Sequence, residues 1–328
     1  MIASVSAALS RVKKALAAYP ELAAVLAAAI IGLSWQRPLA WLAAREGINV
    51  LLAILVFATA VTIGPAALRR AGAAWRHLLA AVAVGVTVLP ALSWAAARLV
   101  APGPLRDGVL TVGLAPCEIA SVATTALAGG EAAVAAGVLI GSTLATVALA
   151  GPILALEAGA GASTAAGRAN LSPAGIMASL ALVVALPLAA GLAARAAAGT
   201  GRPVIGFLAT PRAEWIASKV ALAAVAALVA LVAAEVHVSA SYGAVAVTLV
   251  LFILASALVG RALGVRASRP ARAALLLTTS MRDFAIAAGL ATAAFGPAAA
   301  APLGLYGIAV LVWGTALAGA LRQGARRG

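Results

Sequence analysis

Three charged side chains stand where the surrounding sequence leaves them no water. Glu118 lies in an apolar run that begins near Asp107, and Arg282 with Asp283 lies in another that begins near Arg272. A charge at the centre of a membrane-spanning helix costs about 2.5–3.5 kcal/mol on insertion scales, so such residues usually face a partner, a cavity or a transport path. Pro116, two residues ahead of Glu118, removes a backbone donor and is expected to interrupt its helix at Pro116-Cys117. Ser280-Met281-Arg282-Asp283, preceded by Thr278 and Thr279, is the matching polar interruption. Broken helices leave free N–H and C=O groups that are tolerated at membrane depth only around a cavity. One reading is a structural salt bridge, with Arg282 neutralised by Glu118 or Asp283 and two helices locked together. The other is a substrate or ion site where the two interrupted helices cross. The readings are compatible, because a paired arginine can also meet an anion. The trio sums to one negative charge, so a single proton would neutralise it.

Other chemistries find little support. The one cysteine permits no internal disulfide and no four-cysteine zinc site. No GxxxxGK[ST] loop is present, which argues against ATP-driven work by this chain alone. No His/Cys/Glu cluster has metal-ligand spacing, and no Ser-His-Asp set is credible, so neither an enzyme nor a metal cofactor is expected. His77 and His237 read as interfacial side chains, and Cys117 as a small buried hydrophobe. Gly137 and Gly141 form a small-xxx-small face suited to helix packing.

The elements that must position the charged trio follow from composition. The chain has 328 residues, 64% apolar and 10% charged, with a mean hydropathy of +1.11. A soluble protein is about 45–50% apolar and about 25% charged. At about 20 residues per span, the apolar total fills roughly ten membrane helices and leaves no soluble domain. Apolar runs between charged or Pro/Gly-rich breaks place them at 21–36, 47–68, 76–98, 107–127, 131–156, 172–194, 215–234, 238–260, 272–295 and 300–321. The fold class is therefore an all-α polytopic membrane protein. The first run follows Arg11, Lys13 and Lys14 but shows no clean cleavage site, so it is read as a span that stays.

The net charge of +14 suits loop cations that set topology better than it suits nucleic acid. With both termini in the cytoplasm, the segments on that side hold Arg11, Lys13, Lys14, Arg69, Arg70, Arg76, Arg195, Arg202, Arg212, Lys219, Arg261, Arg266, Arg269, Arg272, Arg322, Arg326 and Arg327. The outer segments hold Arg37, Arg45, Arg98, Arg106 and Arg168. That is 17 against 5, with Arg282 left over from the 23 basic residues. A multi-pass protein of a cytoplasmic (inner) membrane is expected. Trp35, Trp41, Trp75 and Trp215 fall near span ends, where interfacial tryptophans belong. Ten spans divide into halves of five, 1–160 and 161–328, and an odd-numbered half repeats with inverted topology. Glu118-Ile119-Ala120 in span four and Asp283-Phe284-Ala285 in span nine support that division. Matching interruptions in two halves point to a transporter's midplane site.

Ala115-Pro116-Cys117-Glu118-Ile119-Ala120-Ser121, with Ala128-Gly129-Gly130 and Gly141-Ser142-Thr143-Leu144, resembles spans four and five of the bile acid:sodium symporter family. Ser280-Met281-Arg282-Asp283-Phe284 through Gly289-Leu290-Ala291-Thr292-Ala293-Ala294-Phe295 is similar to its span nine, and Pro90-Ala91-Leu92-Ser93-Trp94 to an element of its span three. The resemblance implies ten helices in two inverted five-helix repeats, arranged as a panel and a core, with spans four and nine broken and crossing. It also implies a secondary transporter of a small organic solute, an organic anion being expected, working by alternating access.

The sodium ligands that the resemblance implies are mostly replaced. A Gly-Gly-Thr-Ala-Ser-Asn run becomes Cys117-Glu118-Ile119-Ala120-Ser121-Val122, leaving Ser121 as an oxygen ligand. Two hydroxyl positions of span five are Ala135 and Leu139, a span-three Gln is Gly85, and the span-nine Glu and Gln are Thr278 and Arg282. We therefore expect the Arg282 guanidinium to stand where a sodium ion would sit, with uniport, exchange or proton coupling in place of sodium coupling. Glu118 is preferred as the proton carrier because a carboxyl near a helix break is desolvated, whereas Asp283 is expected to stay ionised and hold Arg282. Ser121, Thr278 and Thr279 would line the site. A related branch, the arsenite exporters, offers an alternative in which Cys117 aligns with their span-four cysteine, but the glutamate they depend on is Ala285 here. A non-transporting membrane receptor or assembly protein is the alternative from a different class. The expected partners are a small-molecule solute and the bilayer.

Overall fold

The computed structural model describes residues 20–159, 172–198, 206–235 and 241–327. Arg11, Lys13, Lys14, Arg168, Arg202 and His237 lie outside them. The described residues are helical apart from short connections. In chain order the helices are α1 (Pro20–Ser34), α2 (Gln36–Thr62), α3 (Pro65–Ala73), α4 (Trp75–Ala97), α5 (Pro104–Leu114), α6 (Ala120–Leu127) and α7 (Ala132–Gly159). They continue as α8 (Pro173–Ala198), α9 (Pro211–Ala234), α10 (Ser241–Leu263), α11 (Arg269–Ser280), α12 (Phe284–Phe295) and α13 (Ala301–Arg327). Seven of these, α2, α4, α7, α8, α9, α10 and α13, are long and apolar enough to cross a membrane. The protein is thus a multi-pass membrane protein.

Several boundaries differ from the sequence expectation, each for a local reason. Span two was expected at 47–68, and the regular part of α2 does start at Ile48; ahead of it the chain kinks at Arg45 (φ −105°, ψ 44°) and Glu46 (φ 64°, ψ 10°), beyond the short helix Gln36–Leu42. Helix α2 ends at Thr62 because Gly64, preceding Pro65, is held extended at φ −73°, ψ 149°, and Pro65 opens α3. Trp41 lies in the short helix Gln36–Leu42, ahead of the kink. In α4 the helix is distorted at Thr87 (φ −124°, ψ −65°), where Pro90 can neither donate to Val86 nor clear its carbonyl. A π turn, Ala181–Ala185, precedes Pro187 in α8.

Small residues let the helices approach closely, as membrane packing requires. A β-carbon on Gly32 of α1 would lie 2.7 Å from that of Ala233 in α9, and one on Gly191 of α8 would lie 2.6 Å from that of Ala60 in α2. Helices α1, α2, α8 and α9 pack on one another, while α4 to α7 pack with α10 to α13. The Gly137/Gly141 face meets Leu78 and Val82 of α4, in keeping with its reading as a packing surface.

Candidate functional site

The site is built where two helices stop short inside the protein. Helix α5 ends at Leu114 because Pro116 offers no amide and holds Ala115 extended at φ −64°, ψ 151°. Helix α6 starts again at Ala120. On the other side α11 ends at Ser280, Met281 and Asp283 are extended, and α12 begins at Phe284. The two interruptions lie antiparallel and pair through their backbones across Cys117 and Arg282. Glu118 N–H donates to the Met281 carbonyl at 2.8 Å, and Asp283 N–H donates to the Pro116 carbonyl at 2.9 Å. This exchange satisfies groups that a broken helix would otherwise leave bare in an apolar surrounding.

The charges divide according to the ends of the half-helices. Arg282 sends Nη2 to the Ala115 carbonyl, at the C-terminal, electronegative end of α5. Asp283 caps α12, with Oδ1 accepting from Ala285 N–H and Ile286 N–H at 2.9 Å each. Glu118 Oε2 accepts from Phe284 N–H at 3.4 Å, so both carboxyls sit at the electropositive start of the same helix. All three side chains are enclosed: Glu118 is 3% exposed, Arg282 2% and Asp283 0%. Arg282 Nε and Asp283 Oδ2 are buried without a hydrogen-bond partner.

This arrangement corrects one expectation. Asp283 does not clamp Arg282 through an ion pair; its carboxylate is taken by the helix amides, and Arg282 turns to a carbonyl instead. Among the described residues the ion pair is Arg195–Glu214, far along the chain from the crossing. Arg282 also depends on the absence of a long side chain at position 85 of α4. A β-carbon there would lie 3.5 Å from Nη2 and 3.7 Å from Nη1, so the guanidinium occupies space that a long side chain at position 85 would claim.

Of the residues singled out from sequence, Pro116, Cys117, Glu118, Met281, Arg282 and Asp283 meet at the crossing. Ser121 lies one turn beyond, its hydroxyl donating to Cys117 Sγ at 3.9 Å. Ser280 closes α11 and accepts from Trp313 Nε1–H at 3.1 Å. Thr278 and Thr279 are buried but do not join the polar set. The Thr278 hydroxyl donates to the Ala274 carbonyl of its own helix at 2.8 Å, and the Thr279 β-carbon packs toward Gly260 of α10.

Two supporting helices went unnoticed in the sequence. Helix α7 holds the α5–α6 break: Ser142 Oγ accepts from Cys117 N–H at 3.2 Å, and Thr146 Oγ1 donates to the Leu114 carbonyl at 3.0 Å. Helix α13 holds the α11–α12 break: Tyr306 Oη accepts from Arg282 N–H at 3.1 Å. A β-carbon on Gly307 would lie 2.9 Å from the Phe284 ring, and one on Gly314 would lie 2.6 Å from Met281 Sδ. The signal was present as Tyr306-Gly307 and Trp313-Gly314, two aromatic–glycine pairs seven residues apart and hence on one helix face.

A family model described as the sodium bile acid symporter family matches residues 49–245, more than half of the chain. The chain belongs to the sodium bile acid symporter family. Members of this family are transporters and not enzymes, so the protein is a membrane transporter of this kind or a related one. The matched segment contains Gly85 and the whole α5–α6 break, and it ends before α11. A search of curated proteins returned no match.

Proposed function

We propose that the protein is a secondary carrier of a small organic anion, working by alternating access at the crossing of the two broken helices. Seven spanning helices, α1, and the two interrupted pairs α5–α6 and α11–α12 would together make ten spans. These would form inverted five-helix repeats over 1–160 and 161–328, with α1, α2, α8 and α9 as the panel and the remaining helices as the core. Correspondence between the halves supports this: α7, which follows the first break, supports it, as α13 supports the second. The 17-to-5 distribution of basic residues supports cytoplasmic termini in a cytoplasmic membrane.

The observation that carries the reading is the antiparallel pairing of two breaks around three enclosed charges, none of them in a side-chain ion pair. A structural lock would join Arg282 to a carboxylate; here the charges are held by backbone ends and keep unused polar atoms, Arg282 Nε and Asp283 Oδ2. The donor set does not suit sodium. Gly85, Ala135 and Leu139 supply no side-chain oxygen, Ser142 is engaged by Cys117, and Thr278 by its own helix. A tethered guanidinium lies in that neighbourhood already, and coupling would pass to Glu118, the acid with the weaker hold on the α12 amides. Ser121, Glu118, Arg282 and Asp283 form the site, with Thr278 and Thr279 as second-row packing.

The test is a carboxylate screen by thermal shift on the purified chain, followed by uptake into proteoliposomes with sodium or potassium inside and out. A stabilising organic anion whose uptake is indifferent to sodium, and loses its pH response in Glu118→Gln, is expected. Sodium-specific stabilisation or sodium-stimulated uptake would overturn the coupling assignment.

A further inference from the structure

A sizeable cavity lies away from the crossing. A groove of about 550 Å³ runs between α2, α8 and α9, floored by Ile54, Phe57 and Val61 and walled by Pro187, Ala190 and Ile216. Its orientation follows from helical geometry. Ile54, Phe57 and Val61 share one face of α2, whereas Leu52 lies on the opposite face. The Leu52 side chain points to Gly289 of α12, where a β-carbon would be 3.1 Å away. The groove therefore opens away from the broken helices, toward the surrounding lipid.

One end of this apolar trough is closed and charged. The short turn Phe207–Ala209 contributes Phe207 and Leu208 to the lining. Arg195, at the end of α8, pins that turn by donating to the Leu208 carbonyl while pairing with Glu214 of α9. Beside it, Arg212 and Lys219 of α9 are exposed, and the Lys219 ammonium lies 5.8 Å from the centre of the exposed Trp215 ring. An empty space at hydrocarbon depth forfeits dispersion contacts on every wall, and apolar walls give water no partner. An acyl chain fills such a space, and the two exposed cations, next in sequence to the lining residues Ala213 and Val220 of α9, attract a phosphate.

We propose that this groove binds one anionic phospholipid, with an acyl chain between α2, α8 and α9 and the headgroup phosphate at Arg212 and Lys219. The complementarity of an apolar trough to a tail, and of the exposed cations beside it on α9 to an anionic head, selects this occupant over a neutral lipid or a second copy of the chain. The assignment is independent of the transport reading, because its readouts are binding and thermal stability.

The test uses the full chain in mild detergent, with phosphatidylglycerol and phosphatidylcholine of identical acyl chains added in turn. Native mass spectrometry should show one retained phosphatidylglycerol, bound about tenfold or more tightly than phosphatidylcholine and raising the thermal midpoint. Ala190→Trp, at an exposed position, should fill the trough and remove retention of both lipids. The double change Arg212→Gln and Lys219→Gln should keep acyl-chain binding while abolishing the preference for phosphatidylglycerol. Equal binding of the two lipids to the unaltered protein would overturn the proposal, as would retained phosphatidylglycerol in a folded Ala190→Trp variant. A dimer that Ala190→Trp disperses, with no lipid preference, would assign the groove to a second copy instead.

Discussion

The two helix breaks meet as partners but are made differently. The α5–α6 break is written into covalent structure: Pro116 lacks an amide, and its ring holds Ala115 extended. The α11–α12 break contains no proline. Nothing in the intrinsic preferences of Ser280-Met281-Arg282-Asp283 forbids a helix; the interruption rests on the Asp283 cap, on the strand-like exchange with Pro116 and Glu118, and on the aromatic–glycine face of α13. One break is thus imposed by the chain on its surroundings, and the other by the surroundings on the chain. Changes near the second should be felt more strongly, because it has no covalent constraint to fall back on.

The largest expected effect is at the residue that joins both breaks. Arg282→Gln leaves the buried Ala115 carbonyl without its charged donor, at a cost of about 3 kcal/mol. Its thermal midpoint should fall the furthest of any single variant, with loss of uptake; an unchanged midpoint would mean that the guanidinium does not bind the crossing together. Next comes Gly307→Ala, which drives a β-carbon against the Phe284 ring and should destabilise by about 1–3 kcal/mol. The equivalent intrusion of Gly85→Ala meets only ordinary contact and should be nearly silent in the same melting assay.

Asp283→Ala removes the α12 cap and is expected to cost about 1–2 kcal/mol by denaturation. Asp283→Asn, which can still accept from Ala285 N–H and Ile286 N–H, should recover most of that loss. Failure of Asn to recover it would shift the role of Asp283 from capping to charge. The smallest effect is expected at Pro116→Ala, about 0.5–1 kcal/mol, which is mainly the entropy that proline removes from the unfolded chain. The break should persist there, because the Cys117 and Glu118 amides are already bonded to Ser142 and to Met281. Hydrogen exchange at residues 117 and 118 would reveal whether the two helices fuse, an outcome that would erase the contrast drawn above.

Much of this architecture could be read before any coordinates. Apolar runs located the helices, Pro116 located one break, and the cost of placing Glu118, Arg282 and Asp283 in apolar runs singled out the residues that meet at the crossing. What could not be read was how the polar atoms are shared. Adjacent charges in sequence suggested that Asp283 would hold Arg282, but neighbouring residues in an extended turn point to different sides. The carboxylate found helix amides, and the guanidinium found a carbonyl across the crossing. Thr278 and Thr279 looked like lining because they precede the break, yet the Thr278 hydroxyl turns to a carbonyl of its own helix and the Thr279 β-carbon packs toward α10. Arg45 and Glu46 read as a polar boundary, and the chain does kink there before Ile48; the short helix Gln36–Leu42 ahead of the kink was not read.

By itself, the sequence determined the environment and the places of tension: a chain 64% apolar must lie in lipid, and buried charge beside proline must interrupt a helix. Those are consequences of solvation and covalent geometry, and they act residue by residue. Only the tertiary structure decided that the two breaks pair with each other, that Gly85 opens the space for Arg282, and that α7 and α13 support one break each. Such choices depend on which backbone ends come within hydrogen-bond reach, and no local preference specifies that.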